Sequence, residues 1–179
     1  MYLKSKRIAF LGLLTAFSVV LIVISGIFEF STFFFLALAA GCVGIAIHEV
    51  GVNLGAGVFV ASIILGVILA PNKLYCVTYG AMALYIVSIE FTLRLLEKKI
   101  EDFQKRKLVL MILKYVYFNI IYLPILFLMP KLFYQGELTL IIYVIAMIGG
   151  QIGFYLFDRV YFSLMTYYRR VIRRHLKMD

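Results

Sequence analysis

Long apolar stretches separated by short polar segments take up most of this chain of 179 residues. One helix needs around 20 apolar residues to cross a bilayer core about 30 Å thick, and six stretches come close to that requirement. Their expected bounds are residues 8–28, 30–47, 50–70, 74–93, 108–129 and 138–157. The sequence therefore predicts an all-α integral membrane protein, in which residues 1–179 form a single domain of six transmembrane helices.

The composition argues against a water-soluble protein. The chain is 64% hydrophobic and 15% charged, whereas a soluble domain is about 25% charged. A soluble fold of this composition would expose large apolar patches. The net charge of +9 does not indicate nucleic-acid binding, because the basic residues lie at the ends of the predicted spans. Membrane lipids with anionic headgroups are their expected partners there.

The basic residues also predict which way the helices cross the membrane. Residues 94–107 are the one long hydrophilic run between residues 8 and 157, and they hold six of the 18 Lys and Arg residues. With both termini cytoplasmic, fifteen basic residues lie inside, and only Lys73 and Lys131 lie in outside turns. Basic residues that flank spans stay on the cytoplasmic side. We therefore expect both termini, a linker at 94–107 and a basic tail at 158–179 to be cytoplasmic.

The predicted linker has an apolar face of its own. Leu96, Ile100 and Phe103 are spaced four and three residues apart, which is the spacing of one helical face. A helix of this kind rests its apolar side on the lipid headgroups. A docking helix for a cytoplasmic partner has the same pattern, so the sequence leaves both interpretations open.

No catalytic or metal-binding motif is complete in this sequence. His48 and Glu49 open like the zinc motif H-E-x-x-H, but Val52 stands where the second histidine is needed. We interpret His48-Glu49 as a polar loop at the membrane surface, and we expect no metal, no cofactor and no enzymatic activity. Cys42 and Cys76 lie within apolar segments, where a free cysteine behaves as a small packing residue.

Two charged residues fall inside predicted spans, where charges are costly and usually paired. Glu90 and Lys114 both lie in the cytoplasmic half of consecutive predicted helices, so they are candidates for an intramembrane ion pair or ion relay. Alternatively, Glu90 pairs with Arg94 one turn along the same helix, and Lys114 extends its amine to the interface.

Pairs of small residues mark two helix faces. Gly12 and Ala16 share one face of the first span, and Gly51 and Gly55 share one face of the third. Small residues let helix backbones approach closely in lipid. For Gly51 and Gly55 we expect packing inside the bundle, whereas Gly12 and Ala16 are also candidates for contact with an external partner.

Polar and aromatic residues converge at the predicted outer end of the bundle, where such convergence is typical of a small-molecule pocket. The candidate substrate-binding residues are Glu29, Asn72, Tyr75, Tyr79, Asn119, Tyr122, Glu137 and Tyr143. An aromatic belt at the membrane interface has a similar composition, so both interpretations stay open.

The opening stretch K-S-K-R-I-A-F-L-G-L-L-T-A-F-S-V-V-L resembles the first span of S components of energy-coupling factor (ECF) transporters. These bacterial six-helix proteins bind a vitamin or metal from outside and dock on a transmembrane T subunit, which is driven by cytoplasmic ATPases. The resemblance implies a multi-pass protein of the cytoplasmic membrane, in which Gly12 and Ala16 contact the T subunit. A non-catalytic membrane interaction or assembly protein without a ligand is the alternative function.

Single cysteine substitutions test the predicted orientation. We expect Lys73→Cys and Gln135→Cys to react with a membrane-impermeant thiol reagent in intact cells, because both positions lie in outside turns. Glu101→Cys lies in the linker and should stay unlabelled until the membrane is permeabilised. Labelling of Glu101→Cys in intact cells would contradict the orientation.

Overall fold

The structure, a computed structural model, describes residues 2–28, 31–128 and 140–172. It contains six long α-helices, each long and apolar enough to cross a membrane. They are α1 (Tyr2–Ser25), α2 (Thr32–Val50), α3 (Val52–Leu69), α4 (Lys73–Lys99), α5 (Phe103–Leu128) and α6 (Leu140–Tyr167), and a π-helical turn (Tyr168–Ile172) continues α6. The prediction of an all-α protein with six helices able to span a membrane is confirmed.

The breaks between helices have local causes. Gly51 separates α2 from α3 and has a φ of 104°, a backbone conformation that glycine adopts without a steric penalty. Asn72 precedes α4, and its Oδ1 accepts a hydrogen bond from the backbone N–H of Leu74 at 3.0 Å. Asp102 does the same for α5, accepting from the N–H of Gln104 at 2.9 Å. These carboxamide and carboxylate groups satisfy amide groups that a helix start leaves without partners.

Helices α1 to α4 pack closely against one another and form the core of the protein. Ile22, Leu36, Ile47 and Ile86 are fully buried there. Helices α2 and α3 approach each other closely, because a Cβ added at Gly55 would meet the backbone of Ile47 at 2.9 Å. Gly55 is therefore an internal packing residue, as its small size predicts. We call these four helices the α1–α4 core.

Helices α5 and α6 contribute few buried residues. Only 6% of the most apolar window of each is buried, compared with 50% for α2 and α4. A few buried side chains of α6, including Phe154 and Met165, pack against the core, and polar contacts add to this attachment. Lys114 on α5 lies 2.7 Å from Asp158 on α6, and Tyr85 on α4 donates a hydrogen bond of 2.7 Å to the other oxygen of Asp158. Since apolar surface gives no drive for association in lipid, these contacts join the three helices.

The predicted linker at 94–107 is not a separate element. Helix α4 runs on to Lys99 and α5 starts at Phe103, so most of the run belongs to the ends of two helices. The single apolar face predicted for it is wrong, because Leu96 is buried on α4 whereas Phe103 is 63% exposed on α5. Backbone hydrogen bonds continue a helix past its apolar segment, so α4 and α5 extend beyond the predicted spans.

The predicted tail at 158–179 also begins as helix. Helix α6 continues to Tyr167, and Tyr161, Met165 and Tyr168 are buried against the rest of the protein. The polar composition after residue 157 therefore does not mark the end of packing. Residues 173–179 lie outside the described part of the chain.

Replacing Lys114 with Met tests the ion pair that joins α5 to α6. It removes the cation next to Asp158, and a buried charge that loses its partner costs about 3–5 kcal/mol. We expect a loss of this order in the free energy of unfolding, measured by denaturant titration in detergent.

Lys105→Met on the same helix is the matched control. Its amine lies 3.9 Å from Asp102 and its side chain is 79% exposed, so the loss should be below about 1 kcal/mol. The double variant Lys114→Met/Asp158→Leu should recover most of the stability. Equal losses for the two Lys→Met variants would contradict the account.

Candidate functional site

A cluster of ionisable and hydrogen-bonding side chains lies where the C-terminal parts of α2, α4 and α6 meet. We call His48, Glu90, Arg94, Tyr161 and Arg169 the polar end cluster. Glu90 is at its centre and is 3% exposed. Its Oε1 accepts a hydrogen bond from the hydroxyl of Tyr161 at 2.9 Å and lies 3.2 Å from Nε2 of His48. The carboxylate thus has donors from two other helices.

The contacts of His48 define its hydrogen-bonding state. Nη2 of Arg169 lies 2.8 Å from Nδ1 of His48. A guanidinium group can only donate, so Nδ1 accepts and the proton of the neutral ring sits on Nε2, which faces Glu90. Arg169, His48 and Glu90 therefore form one directed chain of hydrogen bonds, from the turn after α6 to α4.

Arg94 ties the end of α2 to α4. Its Nη2 donates a hydrogen bond of 2.7 Å to the backbone carbonyl of Ile47, within the last turn of α2. Carbonyl groups at a helix C-terminus lack partners within the helix, and a cation there is favourable for the helix dipole. The contact directs the guanidinium of Arg94 toward the end of α2, and Arg94 forms no ion pair with Glu90.

The position of Tyr161 depends on a glycine of α2. A Cβ added at Gly44 would lie 2.5 Å from the hydroxyl oxygen of Tyr161. Tyr161 is only 4% exposed, so the ring could not move aside without losing its hydrogen bond to Glu90. Gly44 is therefore required to admit Tyr161, a role that its residue type did not reveal in the sequence.

A cavity of about 630 Å³ opens beside this cluster. Its charged and ionisable lining consists of His48, Glu90, Arg94, Glu97, Lys98 and Arg169. We call it the polar cavity. A second cavity of about 460 Å³ shares Arg94 and Lys98 with it, and its apolar lining consists of Val50, Val52, Leu54, Phe91 and Leu95. We call this one the apolar groove.

The predicted pairing of Glu90 with Lys114 is wrong. Glu90 contacts His48 and Tyr161, whereas Lys114 contacts Asp158 and lies 3.7 Å from the centre of the Phe162 ring. The alternative pairing of Glu90 with Arg94 is wrong as well, since Glu90 contacts His48 and Tyr161. The partners come from α2 and α6, whose neighbours could not be inferred from sequence spacing.

The predicted polar loop at His48-Glu49 is also wrong. Both residues belong to the last turns of α2, which ends at Val50. The side chain of His48 is 9% exposed, because it lies between Glu90 and Arg169. His48, the first residue of the incomplete zinc motif, thus belongs to a hydrogen-bonded cluster. Its partners Glu90 and Arg169 are far from it in the sequence, so the motif alone did not indicate them.

The predicted substrate-binding residues lie in several different settings. Asn72 caps α4. Asn119 accepts a hydrogen bond of 2.8 Å from Gln151, and Tyr122 donates one of 2.6 Å to the carbonyl of Ala146, so both join α5 to α6. Tyr143 stacks on Phe127. Glu29 and Glu137 lie outside the described residues.

Tyr79 has different surroundings from the other candidates. It is fully buried in the α1–α4 core, where its hydroxyl lies beside Ser62 and Ser18. Within the described part of the chain, neither the Tyr79 nor the Ser62 hydroxyl makes a well-formed hydrogen bond. Tyr75 is half-buried one turn earlier on α4. The core therefore contains a small group of hydroxyls contributed by three helices.

The two small-residue faces differ in their surroundings. Gly12 and Ala16 are exposed on the outer side of α1, and a Cβ added at Gly12 would meet nothing within 4 Å. The opposite side of α1 holds the buried residues Ser18 and Ile22. The Gly12–Ala16 face is therefore free of contacts within the described protein, unlike Gly55.

Comparisons with known protein families, curated proteins and solved structures give no match to this chain.

Replacing Tyr161 with Phe tests whether Glu90 depends on its donor. The variant removes one hydrogen bond to a buried carboxylate, and we expect it to lower the free energy of unfolding by about 2 kcal/mol. Tyr155→Phe is the matched control on the same helix, because Tyr155 is 55% exposed and its replacement should be nearly neutral. Equal effects in denaturant titration would contradict the role of Tyr161.

Proposed function

We propose that this chain is the substrate-binding membrane subunit of an ECF-type micronutrient uptake transporter in a bacterial cytoplasmic membrane. In this proposal it has no catalytic activity of its own. It binds substrate within the bundle and docks through α1 on a transmembrane T subunit, and cytoplasmic ATPases drive transport. The observation that carries the proposal is the exposed Gly12–Ala16 face of α1.

The physical argument concerns how closely another helix can approach α1. Ile8 precedes Gly12 by one turn on the same face and is 70% exposed, and the neighbouring Leu13 and Phe17 are 67% and 54% exposed. Gly12 and Ala16 are smaller than these side chains, so they form a shallow groove in the surface of the helix. A partner helix in that groove gains close van der Waals contact along the backbone, which is how helices associate in lipid. The resemblance in the first span implies a T subunit as the partner at this face.

Tyr79 is the best candidate for a substrate contact among the proposed residues. The side chains of Asn72, Asn119 and Tyr122 are already engaged in helix caps or helix contacts. The Tyr79 hydroxyl, by contrast, lies with Ser62 and Ser18 inside the α1–α4 core. Buried hydroxyls without well-formed hydrogen bonds favour a polar occupant, and a small opening of the core would admit one.

The same observations favour a second candidate function. Asn119 and Tyr122 join α5 to α6, so two of the polar side chains proposed to bind substrate are engaged in contacts between helices. A membrane interaction or assembly protein needs the docking face of α1 and no ligand. Mass spectrometry of small molecules that co-purify with the protein discriminates the two, since only the transporter subunit should retain a substrate.

The double variant Gly12→Leu/Ala16→Leu tests docking. Two large side chains would fill the groove and hold a partner helix away, so we expect co-purification of a T subunit with its ATPases to fall at least tenfold, as the loss of about 1.4 kcal/mol would give. The isolated variant should stay folded and monodisperse, because Gly12 faces open space.

Two glycines of α3 supply the controls. Gly57 is exposed and faces open space, so Gly57→Leu should change neither docking nor folding. Gly55→Leu should impair folding itself, because its Cβ would collide with Ile47. Aggregation of the Gly12/Ala16 variant to the extent seen for Gly55→Leu, or unchanged co-purification, would contradict docking at this face.

A further inference from the structure

The polar cavity and the apolar groove lie side by side and share Arg94 and Lys98. One side of this pair is charged and the other is apolar, so together they match a ligand with an anionic group attached to a hydrocarbon chain. We propose that this double cavity binds one anionic phospholipid. The phosphate lies between Lys98, Arg94 and Arg169, and an acyl chain lies along the apolar groove.

The charge of the polar cavity favours an anion. Three permanent cations line it, Arg94, Lys98 and Arg169, against the two carboxylates of Glu90 and Glu97. The carboxylate of Glu90 is already engaged within the protein by the hydroxyl of Tyr161 and by Nε2 of His48. Three cations against two carboxylates leave this lining with a net charge of +1, so the cavity has an excess of positive charge.

The cations also keep unused donors. Nη2 of Arg94 binds the carbonyl of Ile47, and Nη2 of Arg169 binds His48. Each guanidinium has five N–H donors in a planar fork that suits a phosphate, so most of them remain available. Lys98 forms no ion pair with any residue in the described ranges. A phosphate group would therefore receive hydrogen bonds without breaking the contacts that hold the helices together.

The apolar groove provides a binding surface for the acyl chain of the proposed lipid. Leu54 and Phe91 are each 52% exposed and Leu95 is 41% exposed, and all three line the groove next to the shared cations. A soluble anion would gain nothing from these side chains, whereas an acyl chain would pack against them. Basic pockets between transmembrane helices are suited to lipid headgroups. This geometry favours a lipid over a free phosphate.

Two adjacent lysines test the proposal. Lys98 and Lys99 both lie in the last turn of α4, but only Lys98 lines the cavities. The purified protein is titrated with phosphatidylglycerol or phosphatidylcholine of the same acyl chains, and bound lipid is counted by native mass spectrometry. We expect preference for phosphatidylglycerol, about fivefold weaker binding for Lys98→Gln, and unchanged binding for Lys99→Gln. Equal losses for both variants, or no preference, would overturn the proposal.

Arg169→Gln and Arg170→Gln provide a second matched pair. Only Arg169 lines the polar cavity, so its variant alone should bind phosphatidylglycerol more weakly. An effect confined to Arg170→Gln would overturn the assignment of the phosphate to this cavity.

Glycerol 3-phosphate separates the lipid from a soluble anion. It carries the phosphate without acyl chains, so we expect it not to displace bound phosphatidylglycerol at concentrations where a short-chain phosphatidylglycerol does. Equal displacement by both competitors would show a site for soluble phosphates and would overturn the lipid proposal.

Discussion

Two carboxylates in apolar helices, Glu90 and Asp158, set the arrangement of the helices around them. A charged group in hydrocarbon is costly unless donors surround it. Tyr161 and His48 approach Glu90, and Lys114 and Tyr85 approach Asp158. Each carboxylate is thus contacted from two helices other than its own. Helix α6 contributes to both groups, which fixes its rotation and height against the α1–α4 core.

This arrangement divides the protein into two kinds of packing. The α1–α4 core is held by close contact of small and aliphatic residues, as at Gly55 and Ile47. Helices α5 and α6 bury little surface and are joined by hydrogen bonds and an ion pair. Because the polar end cluster lies where α6 meets α2 and α4, its cavity depends on the same contacts that hold α6.

The sequence predicted the six helices well because hydrophobic length alone determines which segments can span a bilayer. It did not predict which charges meet. Spacing along the chain suggested Glu90 with Lys114, but helices that are apolar on all sides give no signal for their neighbours, so the roles of His48 and Asp158 stayed hidden. The small size of Gly12, Ala16 and Gly55 was visible in the sequence. Only the fold shows that Gly12 and Ala16 are exposed and that Gly55 packs against Ile47.

The role of the polar contacts at Tyr161 and Asp158 in holding α6 on the α1–α4 core is tested most directly by single-molecule force spectroscopy. The protein is pulled from its C-terminus out of a bilayer. We expect α6 to leave in a separate first step, with its main force barrier between Tyr161 and Asp158, and the α1–α4 core to resist to higher force. Extraction of all six helices in one event, or an α6 step without a barrier at these residues, would contradict it.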